Sequence, residues 1–251
     1  MRRFVSTGLV IMLLIGAWQA LIIGLSIPAY LAPTPKAVAI AAIENARILL
    51  GQTALTLGAA GLGLLISTAF ATLFALLFTV SRKAAQTAMP LLLVFRSAPV
   101  AAVAPLITLF VGRGLGTGVV VVTIVSFFPL MINLVRGLAS ADRAALELMH
   151  VYGAGTVKQI RYVRIPFALP YFFTGLRIAG ASAILGAMLS EWITGARGLG
   201  KLILDSGEMR ETELLWAAVL TSVLCALSVF AATSWAEQRT LRWKHSSLSV
   251  S

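Results

Sequence analysis

The chain has 251 residues, of which 59% are hydrophobic and 12% are charged, and its mean hydropathy is +0.94. Soluble proteins carry about 25% charged residues, so this composition excludes an ordinary soluble domain and predicts an integral membrane protein. The formal net charge is +11, but the basic residues flank apolar segments without an aromatic-basic surface, so nucleic acid is not an expected partner. Cys225 is the only cysteine, which excludes an intrachain disulfide and disfavours a cysteine-based metal site.

The N-terminal half opens with an apolar run from Phe4 to Leu25. A secretory signal has an apolar core of about 7–15 residues, so this longer run predicts a retained first span. Three prolines follow it, and the mixed segment from Lys36 to Gly51 suits a short helix at the membrane interface. The second predicted span, Leu55 to Val80, contains small residues four apart, such as Ala59 and Gly63, which favour close helix packing.

Four more apolar runs complete the set of predicted spans. The third, about Met89 to Val111, is expected to be irregular because Pro99 and Pro105 interrupt it, and it contains Arg96. A glycine turn leads to the fourth span. The fourth, fifth and sixth spans are predicted at about Val119 to Leu138, Phe167 to Ile193 and Leu214 to Trp235.

Charge distribution orients these spans. With six spans both termini lie on one side, and that side carries about twice as many lysine and arginine residues as the other. The positive-inside rule therefore predicts cytoplasmic termini and a cytoplasmic central stretch. The fold predicted is an all-α integral membrane protein, a single transmembrane domain over residues 1–251.

The central stretch, Glu147 to Pro170, interrupts the apolar pattern with polar and basic residues. A first helix is predicted over Ser140 to Met149, a glycine turn at Gly153 or Gly155, and a second helix from Thr156 to Arg164. Pro166 and Pro170 are expected to end the second helix and begin the fifth span. The second helix has an apolar ridge with basic flanks, which suits either an anionic membrane surface or a groove on a cytoplasmic partner. The ridge comprises Val157, Ile160 and Val163, and the flanks comprise Lys158, Arg161 and Arg164.

Ionisable residues within predicted spans are the candidates for a solute path, because charge at membrane depth is costly. Arg96 and Arg177 are two such residues. Each has two interpretations: a structural role, binding carbonyls freed by prolines or packing against a partner helix, or the lining of an anion path. Glu191 is interpreted as a helix-end carboxylate without a further role.

The glycine-rich segment from Gly195 to Lys201 matches a nucleotide-binding P-loop up to its last position. Leu202 stands where Ser or Thr must reach the magnesium ion, and the segment lies between spans rather than between a strand and a helix. A nucleotide site is therefore rejected. His150 and His245 have no neighbouring nucleophile, so no catalytic set is predicted.

The central stretch resembles the EAA loop of ABC importer permeases. The resemblance rests on Glu147, Gly153 six residues later, and the ending from Val163 to Pro166; Leu148 and Met149 replace the usual alanines. Further blocks resemble permeases of the nitrate, sulfonate and taurine type: LAPTPKAV, FRSAPVAAVAPLITLFVGRGLG, FFPLMINLVRGL, ALPYFFTGLRIA and GARGLGKLI.

That resemblance implies a permease subunit whose core spans residues about 50–240 and whose coupling loop spans residues 140–166. It further implies that Glu147 and Gly153 hold the loop's shape while Thr156 to Arg164 contacts a cytoplasmic ATPase. The residues expected to couple to the ATPase are Glu147, Gly153, Thr156, Val157, Ile160, Arg161, Arg164 and Pro166.

The implied assembly is a permease homodimer in the bacterial inner membrane, with two ATPases that bind ATP and magnesium and an extracytoplasmic solute-binding protein. No catalytic, cofactor or metal site is expected in this chain. A sulfonate, taurine or nitrate-like anion is the expected solute, and a thiamine pyrimidine precursor or riboflavin the alternative. A secondary transporter without ATP is the other class considered, although no inverted repeat supports it.

Overall fold

A computed structural model describes residues 2–96 and 99–241, and within them the secondary structure is helical, without strands. The helices are α1 (Arg2–Gly24), α2 (Pro35–Glu44), α3 (Ala46–Val80), α4 (Arg82–Arg96), α5 (Val100–Val111), α6 (Leu115–Ala139), α7 (Arg143–Val151), α8 (Thr156–Gln159), α9 (Ile165–Thr194), α10 (Leu199–Glu208) and α11 (Thr212–Thr240). A π-helical segment, Ile160–Arg164, connects α8 to α9.

Four of the described helices are long and apolar enough to cross a membrane: Ala46–Val80, Leu115–Ala139, the continuous helix Thr156–Thr194, and Thr212–Thr240. Two shorter apolar helices, Met12–Gly24 and Val100–Val111, fall in the positions of the predicted first and third spans. The all-helical membrane fold is thus confirmed, while the number of six crossings stays a prediction.

The predicted third span is divided into two helices. α4 ends at Arg96, and α5 begins at Val100 directly after Pro99, which occupies the N-cap position. The expectation that Pro99 interrupts the span is therefore confirmed. Pro105 does not interrupt it, because it lies inside α5, where the helix continues around it. The predicted short helix within Lys36 to Gly51 is only partly found: α2 ends at Glu44, and the residues from Ala46 onward belong to α3. α2 begins after Thr34, whose hydroxyl accepts a hydrogen bond from the amide of Ala37.

Three long helices form the centre of the bundle: α3, α6 and α9. α3 and α6 run in the same direction, because Gly118 near the start of α6 approaches Ala59 of α3, and Val122 four residues later approaches Gly63, four residues after Ala59. Small residues permit these crossings. A Cβ on Gly63 would lie 2.5 Å from the Cβ of Val122, so only glycine allows this approach of α3 and α6, as its sequence spacing predicted.

The antiparallel helix α9 packs on α6 in the same manner. A Cβ on Gly137 of α6 would lie 2.9 Å from the Cα of Ala168, and a Cβ on Gly175 of α9 would lie 3.0 Å from the Cβ of Asn133. The end of α6 and the start of the long α8–α9 helix therefore lie together at one end of the bundle, which we call the loop end. The end of α9, α10 and the start of α11 lie at the opposite end.

Candidate functional site

The loop end carries a helical hairpin formed by α7, a glycine turn and α8. Asp142 caps α7, and its carboxylate accepts a hydrogen bond from the amide of Ala144. Gly153 follows α7 with φ +70, a left-handed conformation that side-chain-bearing residues rarely adopt, and its amide donates to the carbonyl of His150. The helix, turn and helix predicted from the sequence are therefore present, with Gly153 as the residue that makes the turn.

Pro166 and Pro170 had predicted that the second helix of this hairpin ends before the fifth span. This prediction is wrong, because the helix continues. α8 continues through the π-helical segment into α9, in which the amide of Ile165 donates to the carbonyl of Ile160. Pro166 stands in the first turn of α9, where a missing N–H costs little, and Pro170 lies inside the helix. One continuous helix of 39 residues, Thr156–Thr194, therefore joins the loop to the opposite end of the bundle.

The hairpin presents large apolar side chains to its surroundings. Val151 is 82% exposed and Val157 is 77% exposed. We call the set the loop surface; its apolar members are Leu148, Val151, Tyr152, Val157 and Tyr162. The guanidinium of Arg161 lies 5.7 Å from the centre of the Tyr162 ring, and Lys158 is exposed beside them. Such a cluster with a basic border is typical of a surface that binds another protein.

The residues expected to couple to the ATPase differ in their surroundings. Glu147 and Thr156 are exposed, and Glu147 forms no hydrogen bond or ion pair with a described residue, so no contact supports its expected role in shaping the loop. Ile160 and Pro166 are half-buried. Arg164 is also half-buried, and its Nη1 donates to the carbonyl of Leu138 near the end of α6 at 2.9 Å.

This contact of Arg164 has a structural consequence. The last carbonyls of a helix lack partners within the helix, and a cation there is favourable. Arg164 therefore fixes the start of the long helix Thr156–Thr194 to the end of α6. The guanidinium points into the bundle, whereas Val157 and Arg161 point away from it.

Arg96 and Arg177 are the two arginines proposed for a solute path. The side chain of Arg96 lies outside the described residues. Arg177 of α9 forms an ion pair with Glu237 of α11, with 3.0 Å between Nη1 and Oε2. Both side chains are largely shielded from solvent. Arg177 therefore has a counter-charge within the chain, and the ion pair joins two spans. Its role as a path residue stays a prediction.

A second polar cluster, at the opposite end, was not anticipated from the sequence. Glu191 near the end of α9 is 4% exposed and is therefore not the plain helix-end carboxylate that was expected. Its carboxylate accepts hydrogen bonds from the hydroxyl of Thr56 in α3 and from the amide of Gly200 in α10, both at 2.8 Å. The hydroxyl of Thr56 in turn accepts from the amide of Leu199 at 2.9 Å.

Side chains of two other helices thus cap the start of α10, whose own N-cap residue is Gly198. We call Thr56, Glu191, Leu199 and Gly200 the α10 capping cluster. The glycines are required by space: a Cβ on Gly198 would lie 2.0 Å from the Cδ of Glu191, and a Cβ on Gly200 would lie 2.3 Å from the carbonyl oxygen of Met188. The P-loop-like segment therefore binds a carboxylate of its own chain.

A signal for this cluster is present in the sequence. Gly198 supplies no capping side chain for α10, and the nearest preceding acid is Glu191, seven residues earlier in the sequence. A glycine-rich helix start that is not a phosphate site needs another acceptor for its amides, and a nearby glutamate fulfils that need.

The fold and the loop surface define a multi-pass helical membrane protein with a helical hairpin available to a partner. Residues 67–242 match the family model described as the binding-protein-dependent transport system inner membrane component. This chain belongs to that family and is a permease subunit of an ABC importer, a class in which the ATPase activity lies in a separate subunit.

Several curated relatives cover most of the chain. A probable ABC transporter permease of Haemophilus influenzae is 32% identical over 93% of this chain and 95% of its own length. A riboflavin transport permease of Chloroflexus aurantiacus is 33% identical over 94% and 89%. A formylaminopyrimidine transport permease of Halalkalibacterium halodurans is 30% identical over 86% of both chains, and a putative aliphatic sulfonate permease of Bacillus subtilis is 26% identical over 93% and 85%.

Among solved structures, the methionine ABC transporter MetNI in inward-facing conformations is similar in fold, with a TM-score of 0.70 at 17% identity. The match covers 78% of this chain and 97% of that chain. The family expected from the loop motif is thus confirmed by the sequence comparisons, and the likeness to MetNI shows the fold.

Proposed function

We propose that two copies of this chain form the membrane path of an importer in the bacterial inner membrane, with both termini and the loop surface in the cytoplasm. A cytoplasmic ATPase binds each loop surface, and a solute-binding protein delivers the solute from the other side. The observation that carries this proposal is the exposed apolar loop surface at the start of a helix that reaches the opposite end of the bundle.

The geometry supports a lever-like coupling. Val157 and Arg161 are exposed on α8 and the π-helical segment, where a partner can bind them. Arg164 ties the same segment to α6, so a displacement of the loop moves α6 and α9 together. Glu147, which has no partner among the described residues, offers its carboxylate to the ATPase. ATP and magnesium bind to the partner subunit.

The test is retention of the ATPase by the purified permease. Val157→Asp places a charge in the loop surface and is expected to abolish co-purification, because a carboxylate without a partner would be buried in the interface. Gly153→Val forces a β-branched residue into φ +70 and is expected to uncouple transport even where the subunit still reaches the membrane.

Met209→Asp is the matched control. Met209 is 71% exposed but lies between α10 and α11, at the other end of the bundle. It should leave ATPase retention unchanged. Unchanged retention in Val157→Asp, or an equal loss in Met209→Asp, would contradict the assignment of the loop surface.

For the solute, the relatives favour a nitrogen heterocycle over the small anion. The riboflavin and formylaminopyrimidine permeases are 33% and 30% identical to this chain, whereas the sulfonate permease is 26% identical. Arg177 does not reverse this preference, since it is already paired with Glu237. Uptake of labelled riboflavin, formylaminopyrimidine and taurine by cells that carry the complete importer decides between the two classes.

A further inference from the structure

A groove of about 490 Å³ runs along α6 between α5 and α9. Its walls are apolar on both sides, with Ile124 and Ile132 on α6 and Ile178 on α9. Polar side chains also face it: Asn133 and Arg136 from α6 and Ser182 from α9. Its volume is in the range that accommodates a small molecule, about 300–1,000 Å³.

The polar groups of this groove keep unused hydrogen-bonding capacity. The guanidinium of Arg136 is exposed and forms no hydrogen bond or ion pair with a described residue, unlike those of Arg164 and Arg177. The side-chain amide of Asn133 donates to the carbonyl of Pro129 at 2.7 Å, which leaves the side-chain oxygen of Asn133 as an acceptor.

Pro129 leaves a further acceptor in α6, the carbonyl of Val125. A proline has no N–H, so it cannot donate to the carbonyl of Val125 one turn earlier in α6. Both Val125 and Pro129 line the groove. Polar groups at membrane depth normally face the bundle interior or a water-filled cavity.

The position of the groove fits an opening toward the loop end. Arg136 stands in the last turn of α6, at that end, and Ile124 lies twelve positions earlier. At 1.5 Å per residue this distance is about 18 Å, more than half of a hydrocarbon core about 30 Å thick. A cation therefore stands at the mouth of a cleft that reaches the middle of the bundle.

We propose that this groove is the loop-side part of the solute path and that it takes a planar heterocycle with hydrogen-bonding edges. The proposal rests on the proposed function. A flat ring buries its faces against the isoleucines of α6 and α9, while its edge bonds Asn133, the Val125 carbonyl and Arg136. A compact sulfonate could pair with Arg136 but would leave most of the apolar walls uncovered.

Cysteine accessibility in the assembled importer tests the path without knowledge of the natural solute. In a Cys225→Ala background, single Asn133→Cys and Ser182→Cys variants are reconstituted and exposed to a charged thiol reagent from the loop side. Leu224→Cys is the matched control, since Leu224 is 65% exposed on the outside of α11. Thiolates form in water, so positions 133 and 182 should react at least about tenfold faster than position 224.

Ligand protection tests the solute class. Riboflavin and formylaminopyrimidine are the planar probes and taurine is the compact probe. At least one planar probe should slow the labelling of positions 133 and 182, and Arg136→Gln should weaken that protection. Labelling no faster than at Leu224→Cys overturns the path. Protection by taurine alone, or by none of the three probes, overturns the heterocycle. ATPase retention is measured on the same variants. If the ATPase is retained while the labelling results contradict the groove, the proposed function stands and only the solute-path proposal is overturned.

Discussion

Removal of the Glu191 carboxylate is expected to destabilise the end of the bundle opposite the loop. In Glu191→Ala the amide of Gly200 loses its acceptor in a buried position, whereas the hydroxyl of Thr56 can still donate to the carbonyl of Gln52 at 3.2 Å. One buried donor is then left without a partner, which costs about 1–3 kcal/mol. For a chain of this size each kcal/mol shifts the unfolding midpoint by about 2–4 °C, so the expected loss is about 2–12 °C.

The assay is thermal unfolding of the detergent-purified permease, followed by the fraction that remains monodisperse after heating. Glu208→Ala is the control, because Glu208 is an exposed glutamate at the other end of α10 with no hydrogen bond or ion pair to a described residue. If Glu191→Ala lowers the midpoint no more than Glu208→Ala, the α10 capping cluster does not stabilise the fold and the prediction is refuted.

Two further predictions concern packing and the ion pair. Gly200→Ala should lower the same midpoint sharply, because its Cβ would meet the backbone carbonyl of Met188, while Gly61→Ala, with open space around it, should not. Arg177→Gln should also lower it by leaving Glu237 unpaired, and adding Glu237→Gln should recover part of the loss. Transport retained in that double variant would indicate a structural pair; transport lost in a stable double variant would support Arg177 as a path residue.

The long apolar helices and the helical hairpin could be predicted because their signals are local. A run of apolar residues identifies a membrane helix by itself, and Gly153 marks the turn because few other residues adopt its backbone conformation. The error at Pro166 has a physical cause. Proline forbids one N–H donor but not the helix, and the π-helical segment before it absorbs the change in hydrogen bonding.

The partners of charged side chains could not be predicted, because they join residues far apart in sequence. Glu191 and Thr56 are 135 positions apart, and Arg177 meets Glu237 from another helix. Sequence spacing places each residue on its own helix, but it does not say which face of that helix meets a neighbour. That is decided by where glycines such as Gly63 and Gly175 let the helices approach.

The sequence by itself determined that this protein is a helical membrane protein, and its resemblance to ABC importer permeases indicated the family, since hydropathy and short motifs are properties of contiguous residues. Only the tertiary structure decided which polar groups are used up and which remain free. The side chains of Glu191 and Arg177 have partners within the chain, whereas the guanidinium of Arg136 at the mouth of the groove has none among the described residues. The reason is that burial and pairing depend on how α3, α6, α9 and α11 pack, and packing is a property of the whole bundle.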